Sequence, residues 1–442
     1  MSAASESSRW LDLDNPVKRG VILFVAIFAL VLVVGYAQGA ANLGLLLSQA
    51  LAYALIALGL NIQWGYGGLF NFAIMGLMMV GGTAVMLVSV PVNESFWSGD
   101  GPMLLGRAFV AFLIGAALVL AARQVHRIGI RGGWRVAVIA LAWFAGYCIY
   151  RSQIDPAAAY IEANSGFVGG LGLNPILGWV LGGVVAAIIA YVIGRICLGL
   201  RTDYLAIATI GISEILRALV KNMDWLTRGT QTVSPVPWPV PLPQDYQANG
   251  VSITDSFVYA RFGFLALLVV IFAVIFFLVQ RGYGGPWGRM MRAIRDNYVA
   301  AGSMGKNVTG RQLELFVLGS VLVGIGGAIL VTFNQIFDPS SYQPINHTFV
   351  IWVMVIVGGA GNNWGALLGA MLIYIVWVIS DPLAQVIFVN LSNWSQSMGW
   401  GAIPEIDSRA LQMRVFILGI IITVALRYAP RGLLPEVTQR EK

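Results

Sequence analysis

Hydrophobic residues fall along this chain in long unbroken blocks, without the half-apolar rhythm of a soluble domain. Runs of roughly 16–25 apolar residues are long enough to cross a bilayer as helix. They lie near 21–36, 43–62, 67–90, 104–122, 134–150, 176–194, 205–220, 262–280, 313–332, 348–358, 366–380 and 411–427. Several are short, and two adjoining ones could be half-helices or re-entrant segments. The pattern predicts an all-α fold, a polytopic transmembrane helical bundle of about 10–12 membrane segments, some of them possible half-helices.

Composition agrees. Of 442 residues, 58% are hydrophobic and only 11% charged, against about 25% charged in soluble domains. The 52 glycines suit helices that pack closely in lipid. With the N-terminus placed in the cytoplasm and the crossings alternating, 19 of the 27 basic residues fall in cytoplasmic segments. The acidic loops around Glu94 and Asp100, Asp155 and Glu162, and Glu405 and Asp407 fall on the other side. This asymmetry predicts cytoplasmic termini and explains the net charge of +7 without nucleic acid. Residues 1–20 read as a cytoplasmic lead into a retained helix, 21–427 as the membrane domain and 428–442 as a cytoplasmic tail.

Between two of the apolar runs lies PWGRMMRAIRDNYVAAGSMG (286–305), read as one uninterrupted basic helix between Pro286 and Gly305. Its arginines place it in the cytoplasm, where it could touch a partner. Across the membrane, 222–261 carries five alternating prolines from Pro235 to Pro243, either a stiff docking ledge or a solvated spacer.

Intrinsic chemistry is sparse. GSMGKN at 302–307 lacks the first glycine of a phosphate-binding loop, where Ala300 stands, and has Asn307 where Ser or Thr is needed. Only His126 and His347 could supply imidazole, and Cys148 and Cys197 are predicted on opposite sides of the membrane. The expectation is a non-enzymatic chain with no metal and no cofactor of its own. Within the apolar runs, Glu214 and Arg217 share a helical face, either as a gate or as a local ion pair. Gly65, Gly67 and Gly68, with Asn71, and Gly358, Gly359 and Gly361, with Asn362 and Asn363, mark two sharp breaks. These read either as broken helices beside a solute pathway or as loop punctuation.

Four segments in this order resemble the Liv-type membrane subunits of ABC importers, M class: IALGLNIQWGYGGLFNFA (56–73); LRTDYLAIATIGISEILRALVKN (200–222) followed by WLTRGTQ (225–231); GRMMRAIRDNYVAAGSMGKN (288–307); and VIVGGAGNNWGALLGAMLI (355–373). The resemblance implies a bacterial inner-membrane permease working as a heterodimer with a second permease. Two cytoplasmic ATPases would bind ATP, and an external binding protein would deliver substrate. The helix at 286–306 would couple to an ATPase through Gly288, Arg289, Ala293, Arg295, Asp296, Ala301 and Gly305. Gly67, Gly68, Asn71, Glu214, Arg217, Gly358, Gly359 and Gly361 would line or gate the pathway. Branched-chain amino acids are the commonest substrates of such systems, with urea or small amides as alternatives. The stretch 104–150 departs from the pattern and reads as an inserted, lipid-facing helical hairpin. The competing readings are an ion-gradient-driven secondary transporter and a non-transporting scaffold.

Overall fold

A computed structural model describes residues 16–125, 132–401 and 404–436, apart from the side chains of residues 16, 17, 407, 410 and 411. The tips of the N-terminal lead and the C-terminal tail, and the basic loop around His126, lie outside the described residues.

The chain is a helical bundle. The longer helices are α1 (Pro16–Gln38), α2 (Ala40–Leu60), α3 (Ile74–Ser89), α4 (Gly101–Arg123), α5 (Gly133–Asn164), α6 (Pro175–Cys197) and α7 (Thr202–Lys221). They continue with α8 (Ile253–Gly284), α9 (Pro286–Asp296), α10 (Tyr298–Ser303), α11 (Val308–Asn334), α12 (Val350–Gly358), α13 (Asn363–Ser397) and α14 (Ile406–Tyr428). Among the described residues, eight helices are long and apolar enough to cross a membrane, and two shorter apolar helices accompany them.

Several boundaries differ from those read from the sequence. The crossing placed at 67–90 starts at Ile74, because α2 runs on into a π-helical turn, Asn61–Tyr66, and an irregular loop follows. The segment 348–358 belongs to a short apolar helix, Pro344–Gly358, whose first turn is also π-helical. Helix α7 is not among the eight. It carries Asp203, Glu214, Arg217 and Lys221, and it turns Thr209 and Ser213 inward while Ile207 and Ile215 stay exposed.

Helices α2, α3, α6 and α11 form the centre, and there backbone meets backbone. A methyl on Gly81 of α3 would overlap the carbonyl oxygen of Gly324 on α11, and one on Gly327 would overlap that of Met78. In lipid, where apolar surface gives little drive for helices to associate, such small-residue contacts let dispersion hold them together. Around this centre α8, α12 and α13 form a second layer, with α14 packed on α13. Arg414 of α14 forms an ion pair with Asp381 of α13 and lies 4.7 Å over the Trp377 ring.

Helices α4 and α5 pack chiefly on each other, through Gly115 and Gly146. At the far end from α9, the proline-rich segment docks on the bundle. Val233 and Phe337 exchange two backbone hydrogen bonds of 2.9 Å, and Trp238 stacks on Phe333 at 5.5 Å. Val236 is fully buried there, so this stretch is a fixed part of the fold and no free spacer. Both cysteines are free.

Gly81→Leu is expected to lower the melting temperature of the detergent-solubilised protein by an amount matching an overpacking cost of roughly 1–3 kcal/mol or more. Gly106→Leu, where a Cβ meets nothing within 4 Å, should leave it unchanged. Differential scanning fluorimetry of the two variants checks this.

Candidate functional site

The two glycine-rich breaks lie side by side. Helix α2 widens at Asn61, and the side chain of that residue spans the gap. Its Oδ1 accepts from Gly361 N–H at 2.8 Å, and its Nδ2 donates to Asn363 Oδ1 at 3.1 Å. Asn363 in turn donates to Gln280 Oε1 of α8 at 2.8 Å. Gly65 has no room for a side chain, because the Gly361 backbone approaches it directly. At the second break Gly359 and Gly361 take φ of 117° and 81°, and Asn362 caps α13 by accepting from Trp364 N–H at 3.0 Å.

Irregular backbone in a membrane-spanning bundle must find its hydrogen bonds within the protein. Side chains supply them here. Gln63 is fully buried; it donates to Phe316 O at 2.7 Å and Ser320 Oγ at 3.0 Å, and accepts from Asn71 Nδ2 at 2.9 Å. At the start of α3, Asn71 Oδ1 accepts from Ala73 N–H, Thr209 Oγ1 from Phe72 N–H, Thr348 Oγ1 from Met75 N–H and Ser213 Oγ from Gly76 N–H. Trp352 of α12 donates to Asn71 O at 3.2 Å and stacks on Phe72 at 4.6 Å. The polar inner face of α7, unfavourable against lipid, thus serves as the cap of a half-helix.

The basic element is two helices. Asn297 ends α9 and caps α10, its side chain accepting from Ala300 N–H at 2.9 Å. Asn307, the residue that disqualified a phosphate loop, caps α11 in the same way. Helix α9 is amphipathic: Gly288, Met291 and Ile294 are buried, while Arg289, Ala293 and Asp296 are exposed. Gly288 is required by the Tyr283 backbone, which a methyl would overlap. Ala301 is buried and Gly305, at φ 77°, ends the element. The outer face continues along α10 with Tyr298, Val299 and Met304, which are 65%, 60% and 80% exposed.

Arg295 does not face outward. Its Nη1 donates to the Gly65 carbonyl oxygen and to Glu436 Oε2, the latter at 2.8 Å, and its Nε reaches Asp296 at 3.1 Å. Burial pulls against the charge, but Glu436 and Asp296 outweigh it and hold the guanidinium pKa above its ordinary value. Arg292 adds a second contact to Glu436 at 3.6 Å. The segment 429–436 wraps the second break, with Leu433 N–H and Leu434 N–H donating to Val357 O and Gly358 O, both at 2.8 Å. One basic helix therefore grips both breaks, directly at Gly65 and through the C-terminal segment at Gly358.

The sequence-predicted residues divide accordingly. Gly67, Gly68, Asn71, Gly358, Gly359, Gly361 and Arg295 converge at this end; Arg295 Cγ is the nearest atom to a Cβ placed on Gly68. Glu214 and Arg217 lie apart on α7, paired at 3.3 Å, with Glu214 beside the start of α3 and Thr348. Asn61, Gln280, Thr209, Ser213 and Glu436 were not singled out from sequence. Asn61 sits inside the quoted 56–73 segment, whereas Glu436 gives no local signal at all.

With this geometry in place, comparison with known proteins is decisive. The family described as branched-chain amino acid transport system / permease component matches residues 42–151 and 157–426. The chain belongs to this family. Both breaks, α7, α9 and α10 lie inside the matched region. A high-affinity branched-chain amino acid transport system permease protein LivM of Salmonella typhimurium is 28% identical over 266 residues. That covers 58% of this chain, which spans only 56% of the length of that relative. A probable branched-chain amino acid transport permease protein LivM of Methanocaldococcus jannaschii is 22% identical over 87% of this chain and 90% of its own. The fructose import permease protein FrcC of Rhizobium meliloti is 23% identical over 62% and 72%, respectively. No solved structure matches.

Asn61→Ala would strip the chain of the acceptor for the buried Gly361 N–H and of the donor to Asn363. Each unsatisfied group costs about 1–3 kcal/mol, so thermal denaturation should show a clear loss of stability. Asn61→Asp, which keeps the acceptor and loses the donor, should lose less.

Proposed function

We propose that this chain is a permease subunit of an ATP-driven importer for branched-chain or related amino acids. It forms the translocation pathway with a second permease, and the outer face of α9 and α10 seats on one of two ATPases that bind the ATP. The observation that carries this reading is the pairing of an exposed docking face with an inner face that holds both helix breaks. Arg289 and Asp296 offer charge for register, Ala293 allows close approach, and Tyr298, Val299 and Met304 form an exposed apolar patch beside them. Closure of the ATPases would move α9, and Arg295 would carry that movement to Gly65 and the start of α3.

The arginine-rich end then faces the cytoplasm of a bacterial inner membrane, with both termini on that side, and the proline-rich segment faces the external binding protein. Glu214 and Asp381, in or beside the apolar segments, are each paired with an arginine, which favours structural roles over the titrating carboxylates of an ion-coupled transporter. The names of the relatives reported above, two for branched-chain amino acids and one for fructose, favour the amino acids.

The wild-type chain, extracted in gentle detergent, should bring down a second permease and ATPase subunits. Val299→Asp is expected to reduce ATPase recovery at least tenfold while retaining the second permease, as read by quantitative mass spectrometry. An ATPase yield unaffected by Val299→Asp, or no ATPase with the wild type, would count against the docking role. Arg295→Glu is a poorer probe, since it would set a carboxylate against Glu436 and the Gly65 carbonyl within the chain itself.

A further inference from the structure

A cavity of about 1020 Å³ lies between α1 and the rest of the bundle. Along α1 it runs from Gly20 to Val31, eleven steps along the helix and therefore about 17 Å at 1.5 Å per residue. Its long walls are apolar, with Phe24 and Phe28 of α1 on one side and Leu47, Trp364 and Met371 on the other. Polar groups gather at one end, where Arg292, Glu436, Gln280 and Asn362 line it. That end coincides with the start of α1 and with α9, which carries only short apolar stretches; the long walls belong to membrane-crossing helices.

The groove is open along α1, where Val21, Val25 and Phe28 are 59%, 61% and 63% exposed, so an apolar chain can enter it and make dispersion contacts with both walls. Helix α1 is also held shallowly, with only 17% of its most apolar window buried. The slot is long, apolar and headed by charge at the membrane boundary, the shape of a lipid with its acyl chain inside and its headgroup at the rim. The rim carries both signs. Arg292 and Glu436 stand 3.6 Å apart with side chains 34% and 16% exposed, and the Glu436 oxygen nearer Arg292 is not the one that Arg295 engages. A purely anionic headgroup that draws Arg292 to itself would leave Glu436 Oε1 without its arginine contact, while Arg295 stays on Oε2. A zwitterion satisfies both, its phosphate accepting from Arg292 and its ammonium donating to Glu436. A primary ammonium can donate hydrogen bonds, whereas a quaternary choline cannot.

We propose that this cavity is a binding site for one membrane phospholipid with an ethanolamine headgroup, its acyl chain seated between α1, α2 and α13. The lipid thereby touches the same carboxylate that latches α9 to the helix breaks. The site does not depend on which solute the protein carries.

The test uses the full chain reconstituted in nanodiscs of equal parts phosphatidylethanolamine, phosphatidylglycerol and phosphatidylcholine, released into mild detergent for native mass spectrometry. One phosphatidylethanolamine per chain should survive release in preference to the other two. Arg292→Gln should cut that occupancy at least fivefold. Gly20→Leu should do the same by filling the slot, since a Cβ there meets only Leu434 Cδ2 at 3.7 Å. No retained lipid, a preference for phosphatidylglycerol or phosphatidylcholine, or occupancy unchanged in both variants would overturn the proposal.

Discussion

Broken backbone inside a membrane-spanning bundle is tolerated only where its peptide groups find partners within the protein, and this fold depends on that constraint. Helices α2 and α3 are separated by a loop, as are α12 and α13, yet neither break leaves the amides discussed above stranded. Asn61 joins one break to the other, Gln63 and Asn71 tie the first to α11 and α12, and Thr209, Ser213 and Thr348 cap α3. A buried amide without a partner costs about as much as several well-made hydrogen bonds contribute net. The pairings therefore fix how the two breaks sit against each other, and glycine at 65 and 361 allows the backbones to come close enough for the pairing to form.

Because the breaks are held together, a force applied to either reaches both. Under the proposed function, Arg295 would be the point of application. Its guanidinium binds a backbone carbonyl in the π-helical turn, where widening of the helix leaves carbonyl groups free to accept from outside. Glu436 accepts from the same Nη1 nitrogen and belongs to the segment that pairs with Val357 and Gly358. A planar guanidinium can meet two acceptors in fixed directions, which a lysine ammonium cannot do with the same geometry. Gly288 and the stacked rings of Tyr66 and Tyr283, 3.6 Å between centroids, seat α9 against the end of α8 and the first break. The result is a basic helix with one face committed to the bundle and one face open.

Much of this was legible in the sequence, and the failures have physical causes. Apolar run length identified the crossing helices because the bilayer sets that length. Clustered glycines with asparagines marked both breaks, because few other residues allow positive φ and close approach. Residues 286–305 read as one helix because Asn297 is permissible inside a helix; only its side chain, bonded to Ala300 N–H, shows that it starts a new one. Segment 205–220 is a helix as read, but Asp203, Glu214, Arg217 and Lys221 keep α7 out of the eight that are apolar enough to cross. The inward role of Arg295 was hidden for a different reason. Its partners, Gly65 and Glu436, lie 230 and 141 residues away in sequence, and no local pattern reports a contact of that range.

The central proposal is that this chain moves solute by coupling α9 to ATP hydrolysis in partner subunits. The most direct measurement is uptake of labelled leucine into proteoliposomes containing the chain with its co-purifying partners and its binding protein. With ATP on the side of the ATPases and no ion gradient, uptake should proceed and stop when hydrolysis is blocked. Uptake that ignores ATP and follows an imposed proton or sodium gradient would contradict the account.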